Sequence, residues 1–124
     1  MILVSKKVAN TGMELYTFAT INSEGIVPAT TTIDATTGEV TSTNADGVLF
    51  SGELENDGTL KQGTIADIVA IGVCPVIIKP GETIAQGDIV VPDSDGKGYA
   101  VKSNTSVGFI VERVEGNYAY VIIK

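Results

Sequence analysis

Residues 82–99 read ETIAQGDIVVPDSDGKGY. The stretch holds three aspartates (Asp88, Asp93, Asp95), three glycines (Gly87, Gly96, Gly98) and one apolar run, Ile89–Val91, closed by Pro92. Gly87-Asp88 reads as a turn into a strand. Pro92 stops that strand or confines it to a sheet edge, because proline has no N–H to give a ladder. Asp95-Gly96 is a hairpin signal, and Tyr99–Val101 resumes as a strand. The phrase is thus strand, glycine turn, strand.

The neighbouring sequence repeats that grammar. Lys79-Pro80-Gly81 has the residues of a type II turn, with proline setting φ and glycine accepting positive φ. Before it, Ile65–Ile78 is the longest apolar stretch. Its Val and Ile content and Pro75 argue against one long helix. A short helical turn over Ile65–Ala70 is one reading; a strand with a break near Gly72 fits better. VLFSGEL (residues 48–54) is strand-like, and Asp57-Gly58 follows as a hairpin turn. Val107–Val111 and Tyr118–Ile123 close the chain, with Glu115-Gly116-Asn117 as a tight turn between them. The Thr-rich segment 28–46 reads either as a solvated hairpin turning at Thr37-Gly38 or as a loop that orders against a partner. Residues 1–24, with Ile2–Val4 and Leu15–Phe18, read as an extended arm or edge strand. The expectation is a mainly β chain, barrel-like or sandwich-like, with short strands and glycine turns: an N-terminal arm over 1–24 and one β-rich domain over 25–124.

The last strand carries a further signal. Tyr118, Tyr120 and Ile122 fall on one face, Ala119, Val121 and Ile123 on the other, and neither face is polar. An antiparallel strand commonly wets one side. Two apolar faces imply a centrally buried strand or a subunit contact, and a homo-oligomer is expected.

Composition narrows the chemistry. The 124 residues carry 15 acidic and 8 basic side chains, a formal charge of −7. Such a surface repels phosphate backbones, and Lys6-Lys7 is the only basic pair, so no nucleic-acid partner is expected. The chain has no histidine, which removes Ser-His-Asp and Cys-His catalysis and most zinc sites. The single Cys74 lies in the apolar run IGVCPVII and reads as a small buried hydrophobe rather than a reactive thiol. No run approaches the roughly 20 apolar residues of a spanning helix. The first residues lack the charge-then-apolar order of a secretory signal. No membrane partner is expected, and synthesis in the cytoplasm is.

The aspartates of 82–99 invite metal or acid-pair chemistry. Counting from Asp93 as position 1 of a calcium loop puts Asp95 at 3 and Gly98 at 6. It also puts Lys97 at 5, where an oxygen ligand belongs, and Asn104 at 12, where a bidentate glutamate belongs. Asp93 and Asp95 as a glycosidase pair have no aromatic platform beside them. Nucleotide-cradle patterns are absent. Asp and Gly building a tight turn explain the phrase better. No enzymatic activity, cofactor or metal is expected.

The phrase VCPVIIKPGETIAQGDIVVPDSDGKGYAV, followed by VGFIVERVEGNYAYVII, resembles the small capsid decoration, or cement, proteins of tailed bacteriophages. The matching positions are Ile84, Gly87, Asp88, Val90, Val91, Asp93, Asp95, Gly96 and Lys97, then Val107, Gly108, Ile110, Glu112, Gly116, Val121 and Ile122. Gly87, Asp88, Asp95 and Gly96 are the turn-forming signature. The resemblance covers about half the chain. It implies a structural, non-enzymatic virion protein on the outer surface of the phage head, trimeric over local threefold positions, stabilising the expanded shell. Its partners would be the major capsid protein and itself, with the N-terminal arm taking part. Candidate contacts are then Ile2, Leu3, Val4, Leu15, Tyr16 and Phe18 in the arm, and Tyr118, Tyr120 and Ile122 at the end. The segment 28–46 and the acidic LENDGTL (residues 54–60) have no counterpart in that pattern. The phrase IIKPGETIAQGDIVV is also similar to β-clip and lipoyl-carrier-like small β domains. That likeness implies a carbohydrate-binding or carrier module, with Lys97 as the carrier lysine.

Overall fold

The computed structural model describes all 124 residues. Eleven strands follow in order: β1 Ile2–Lys7, β2 Phe18–Asn22, β3 Gly25–Pro28, β4 Thr31–Ile33, β5 Val40–Thr43, β6 Gly47–Gly52, β7 Ile65–Ile77, β8 Ile89–Pro92, β9 Ala100–Lys102, β10 Phe109–Glu115 and β11 Tyr118–Ile123. Nine of them form one sheet in the order β3-β2-β6-β7-β11-β10-β8-β9, with β1 on β7 as well. The result is a mainly β domain with short strands and glycine turns, its sheet curled into an open half-barrel.

β7 is the spine. Its first half, Ile65–Ile71, pairs with β1, and Ala66–Val69 also pair with β6. Its second half, Gly72–Ile77, pairs with β11. The strand runs unbroken through Gly72 but changes partners there, and no helical turn forms over Ile65–Ala70. The side-chain alternation slips just before that point, between Val69 and Ile71. Val69, Cys74 and Val76 face the same core, although the offset from 69 to 74 is odd. A regular strand cannot do this, because its side chains alternate with a period of two. Ala70 is the extra residue of a bulge against β1, and Gly72, at φ 142°, stands where the partner changes to β11. One long apolar stretch thereby serves two cores.

The larger core gathers Phe18, Val69, Cys74, Val76, Val90, Val111, Val121 and their neighbours. The smaller gathers Val8, Met13, Ile26, Leu49, Leu60 and Ile68 among others. The reading of 1–24 as one arm needs correction. Ile2–Lys7 is an edge strand on β7, but β2 lies inside the sheet between β3 and β6. Phe18 is fully buried and stacks on Phe109 with ring centroids 5.1 Å apart. Burying a phenylalanine contributes roughly 1.5–3 kcal/mol, so Leu15–Phe18 is drawn inward.

The Thr-rich segment contains the β4–β5 hairpin, a two-stranded sheet of its own. Its turn is closed by Asp34, whose carboxylate accepts the N–H groups of Thr36 and Thr37. The hairpin is fastened to the body by Asn104, which accepts the Val40 N–H (2.9 Å) and donates to the Gly38 carbonyl (2.9 Å). The Thr105 hydroxyl donates to Val40, and that of Thr31 donates to Pro92, both at 2.8 Å.

Candidate interaction surface

The stretch 82–99 is built as a scaffold. Gly87 at φ 86° turns the chain into β8. The Asp88 carboxylate accepts the Ala85 N–H at 2.9 Å, and its backbone carbonyl accepts the Val111 N–H, also at 2.9 Å. Asp95 on the far turn pairs with Lys79 at 2.7 Å. Asp93 is the keystone. Only 1% exposed, it accepts the N–H groups of Lys97 and Gly98 on Oδ1, both at 3.2 Å. Its Oδ2 is buried without a partner. No three His, Cys, Asp or Glu side chains converge anywhere in the molecule. Asn104, at position 12 of the calcium count, holds the β4–β5 hairpin instead. Burial pushes the Cys74 thiol up to about 12. Lys97 is exposed at the tip of the β8–β9 turn.

The candidate contact residues divide into those at the surface and those inside. Phe18 fills the core and leaves the contact set. Leu15 is half-buried against the smaller core. Ile2 and Leu3 are exposed and Val4 is half-buried along the edge strand. On β11 the two faces differ. Ala119, Val121 and Ile123 enter the larger core, while Tyr118, Tyr120 and Ile122 remain at the surface, exposed or half-buried.

Register shows that these surface residues are continuous with others. Directly opposed residues on paired strands point to the same face. Ile122 stands opposite Val73, Tyr120 opposite Pro75 and Tyr118 opposite Ile77. Ile71 follows on β7, opposite Ile2 of β1. Ile2, Ile71, Val73 and Tyr118 are all exposed. The outer side of β1, β7 and β11 is therefore an apolar strip running from the N-terminal edge to a cluster of tyrosines. Isolated exposed apolar residues are ordinary, whereas a contiguous apolar patch marks an interaction surface.

At the tyrosine end, Tyr16, Pro75, Tyr118 and Tyr120 line a shallow groove of about 200 Å³. The Tyr16 ring meets Tyr118 edge-on, with centroids 5.9 Å apart and planes at 87°, and meets Phe50 similarly at 6.4 Å. The Arg113 guanidinium lies 3.8 Å above the Tyr120 ring. Its NH1 holds Glu112 at 2.6 Å, and its Nε holds Glu115 at 3.5 Å. Tyr16 is the only non-glycine residue with positive φ, at 64°. A left-handed backbone costs a residue other than glycine roughly 1–2 kcal/mol. Two hydrogen bonds hold it there: Tyr16 N–H donates to Leu49 at 2.7 Å, and Ile77 N–H donates to the Tyr16 carbonyl at 2.8 Å. The sequence paired Tyr118 with Tyr120 through alternation. It carried no signal for Pro75, Val73 or Arg113 as their neighbours, because those depend on the register of β7 and β10 against β11.

A protein of Methanocaldococcus jannaschii named uncharacterized protein MJ0336 is 40% identical over 109 residues, which cover 88% of this chain and 86% of that protein. The chain belongs to the family of MJ0336. No family model and no solved structure matches it. The match spans most of the domain.

Proposed function

We propose that the chain is a structural decoration protein that binds the outer surface of a tailed-phage head and stabilises the expanded shell. The observation that carries this reading is the continuous apolar strip on β1, β7 and β11. The resemblance of the second half of the chain to the decoration family supports it. So does the turn architecture of 82–99, in which the signature residues serve the backbone. Each copy, as a trimer, bridges neighbouring subunits of the major capsid protein, and because it binds the assembled lattice rather than dissociated subunits it stabilises that lattice by mass action. Three copies acting together turn individually weak contacts into a tight attachment. No enzymatic step enters the role. The test is to mix purified protein with expanded, undecorated capsids of the matching phage and image them. Ordered density on the shell is the expected result, and a bare shell rejects the reading.

One observation favours a carrier module as a second reading: Lys97 is exposed at a hairpin tip. Incubation with lipoate or biotin ligases and their substrates decides this. A mass increase that disappears in Lys97→Arg supports a carrier, and an unmodified chain removes that reading.

A further inference from the structure

Aspartate followed by glycine occurs at Asp46-Gly47, Asp57-Gly58 and Asp95-Gly96. Such a step is chemically unstable. The glycine nitrogen attacks the aspartate side-chain carboxyl carbon, and glycine has no Cβ to hinder the approach. Connectivity keeps the two atoms close in every case, so the fold decides by how firmly it fixes the carboxylate and the peptide that must rotate. At Asp46 the sheet fixes both. The carboxylate accepts the Thr20 hydroxyl at 2.7 Å and the Ile21 N–H at 2.8 Å. Gly47 is buried in β6, where a Cβ would lie 2.1 Å from the Val69 carbonyl oxygen. At Asp57 the carboxylate accepts the N–H and the hydroxyl of Thr59, at 2.9 and 2.6 Å, and the Gly58 N–H donates to Glu55 at 3.0 Å. The bonds from Thr59 hold the Asp57 carboxyl below its usual range, in the ionised form that is less open to attack. Asp95-Gly96 differs on every count. Both residues are exposed in the β8–β9 turn, and the peptide between them enters no backbone hydrogen bond. The carboxylate has one partner, Lys79, in a surface ion pair of the kind that contributes little.

We propose that Asp95 is a site of spontaneous isoaspartate formation in the folded protein, converting ahead of Asp46 and Asp57. The Gly96 nitrogen bonds to the Asp95 Cγ and gives up its proton, and a carboxyl oxygen leaves as water. The product is a five-membered succinimide. Water then adds to one of the two ring carbonyls and breaks its bond to nitrogen. Opening at the former main-chain carbonyl leaves the backbone running through the Asp95 Cβ. The water lost in the first step returns in the second, so mass is unchanged and no oxidant, reductant or co-reactant enters. The backbone gains one atom beside the Asp93 clamp. Lys97 and Gly98 donate their N–H groups to Asp93 there, and the Gly98 carbonyl accepts the Phe18 N–H from β2. The Asp93 Oδ2 already lacks a partner, so a shifted turn has no second set of bonds to fall back on. Isomerisation therefore loosens the turn from β2.

The inference is independent of capsid binding, so either can fail without the other. The test incubates the full chain for weeks at 37 °C, once in buffer and once in guanidinium chloride. Peptide mapping with backbone fragmentation then separates aspartyl from isoaspartyl residues, and methyl transfer by an isoaspartyl methyltransferase counts the total. In the native chain, isoaspartate should accumulate at Asp95 at least fivefold faster than at Asp46 or Asp57. In denaturant the three sites should convert at similar rates, because the fold alone distinguishes them. Asp95→Glu keeps the charge and should remove most of the native methyl acceptance. In the aged native fraction, the Lys97 and Gly98 amides should exchange faster than in fresh protein. Native conversion at Asp46 or Asp57 as fast as at Asp95 overturns the proposal. So does an Asp95 left unconverted in the native chain once the denatured chain has converted, or full methyl acceptance in Asp95→Glu. Unchanged exchange at Lys97 and Gly98 overturns the loosening of the turn.

Discussion

Gly96 and Gly98 sit in the same turn with nearly the same backbone, at φ +79° and +74°. They differ in what surrounds them. A Cβ at Gly96 would meet nothing within 4 Å. A Cβ at Gly98 would lie 2.4 Å from the Phe18 carbonyl oxygen and 3.2 Å from the Thr17 side chain. Alanine at either site bears the left-handed cost, about 1–2 kcal/mol. At Gly98 the turn must also retreat from β2. That strains the 2.8 Å bond from Phe18 N–H to the Gly98 carbonyl and the bond from Gly98 N–H to Asp93. Each hydrogen bond contributes about 0.5–1.5 kcal/mol, and a buried donor left unpaired costs about 1–3 kcal/mol. Gly98→Ala should therefore lose about 3–6 kcal/mol and Gly96→Ala about 1–2 kcal/mol. Urea unfolding of both variants, followed by circular dichroism, measures the difference. Two variants within about 1 kcal/mol of each other would refute the close packing of this turn on β2.

Asn104→Ala should release the β4–β5 hairpin and leave the two cores intact. Hydrogen exchange should speed up in residues 31–43 and stay unchanged in β7 and β11; uniform acceleration would mean that Asn104 supports the whole fold. The Tyr99 hydroxyl donates to Glu14, and this bond first, with burial second, pushes its phenol from 10.0 up to about 12. A raised folded value stabilises the fold fully below pH 10 and loses that contribution as pH rises toward 12. Tyr99→Phe should flatten the stability profile across that window; an unchanged profile would contradict the Tyr99–Glu14 bond. Cys74 is buried with its thiol at about 12, so a disulfide reagent at pH 8 should label it only after denaturation. Rapid labelling of the native protein would contradict its burial.

What could be read from the sequence is what local chemistry decides. The turns at Lys79-Pro80-Gly81, Gly87-Asp88, Asp95-Gly96 and Glu115-Gly116-Asn117 are set by residues that accept unusual φ, and Tyr118–Ile123 is a strand with the two faces that alternation assigns. Long-range pairing was not legible. Nothing local in Leu15–Phe18 shows that Phe18 stacks on Phe109, so an arm was expected where β2 enters the sheet. Gly72 stood out as a glycine in an apolar run, but the strand continues through it, and what happens there, a change of partners, depends on strands at both ends of the chain. The interaction surface was half legible for the same reason. Tyr118, Tyr120 and Ile122 follow from alternation, whereas Val73, Pro75 and Arg113 join them only through register. Asp93 was legible as a turn residue, though not as a buried keystone under Gly98.

The most direct test of the central claim is occupancy on expanded, undecorated capsids, comparing the wild-type chain with a Val73→Glu, Ile122→Glu double variant that keeps native exchange protection. The account predicts ordered wild-type density whose β1, β7 and β11 strip is covered by capsid or sister subunits, and no ordered density for the variant. Equal occupancy by both proteins, or wild-type density with that strip open to solvent, would contradict it.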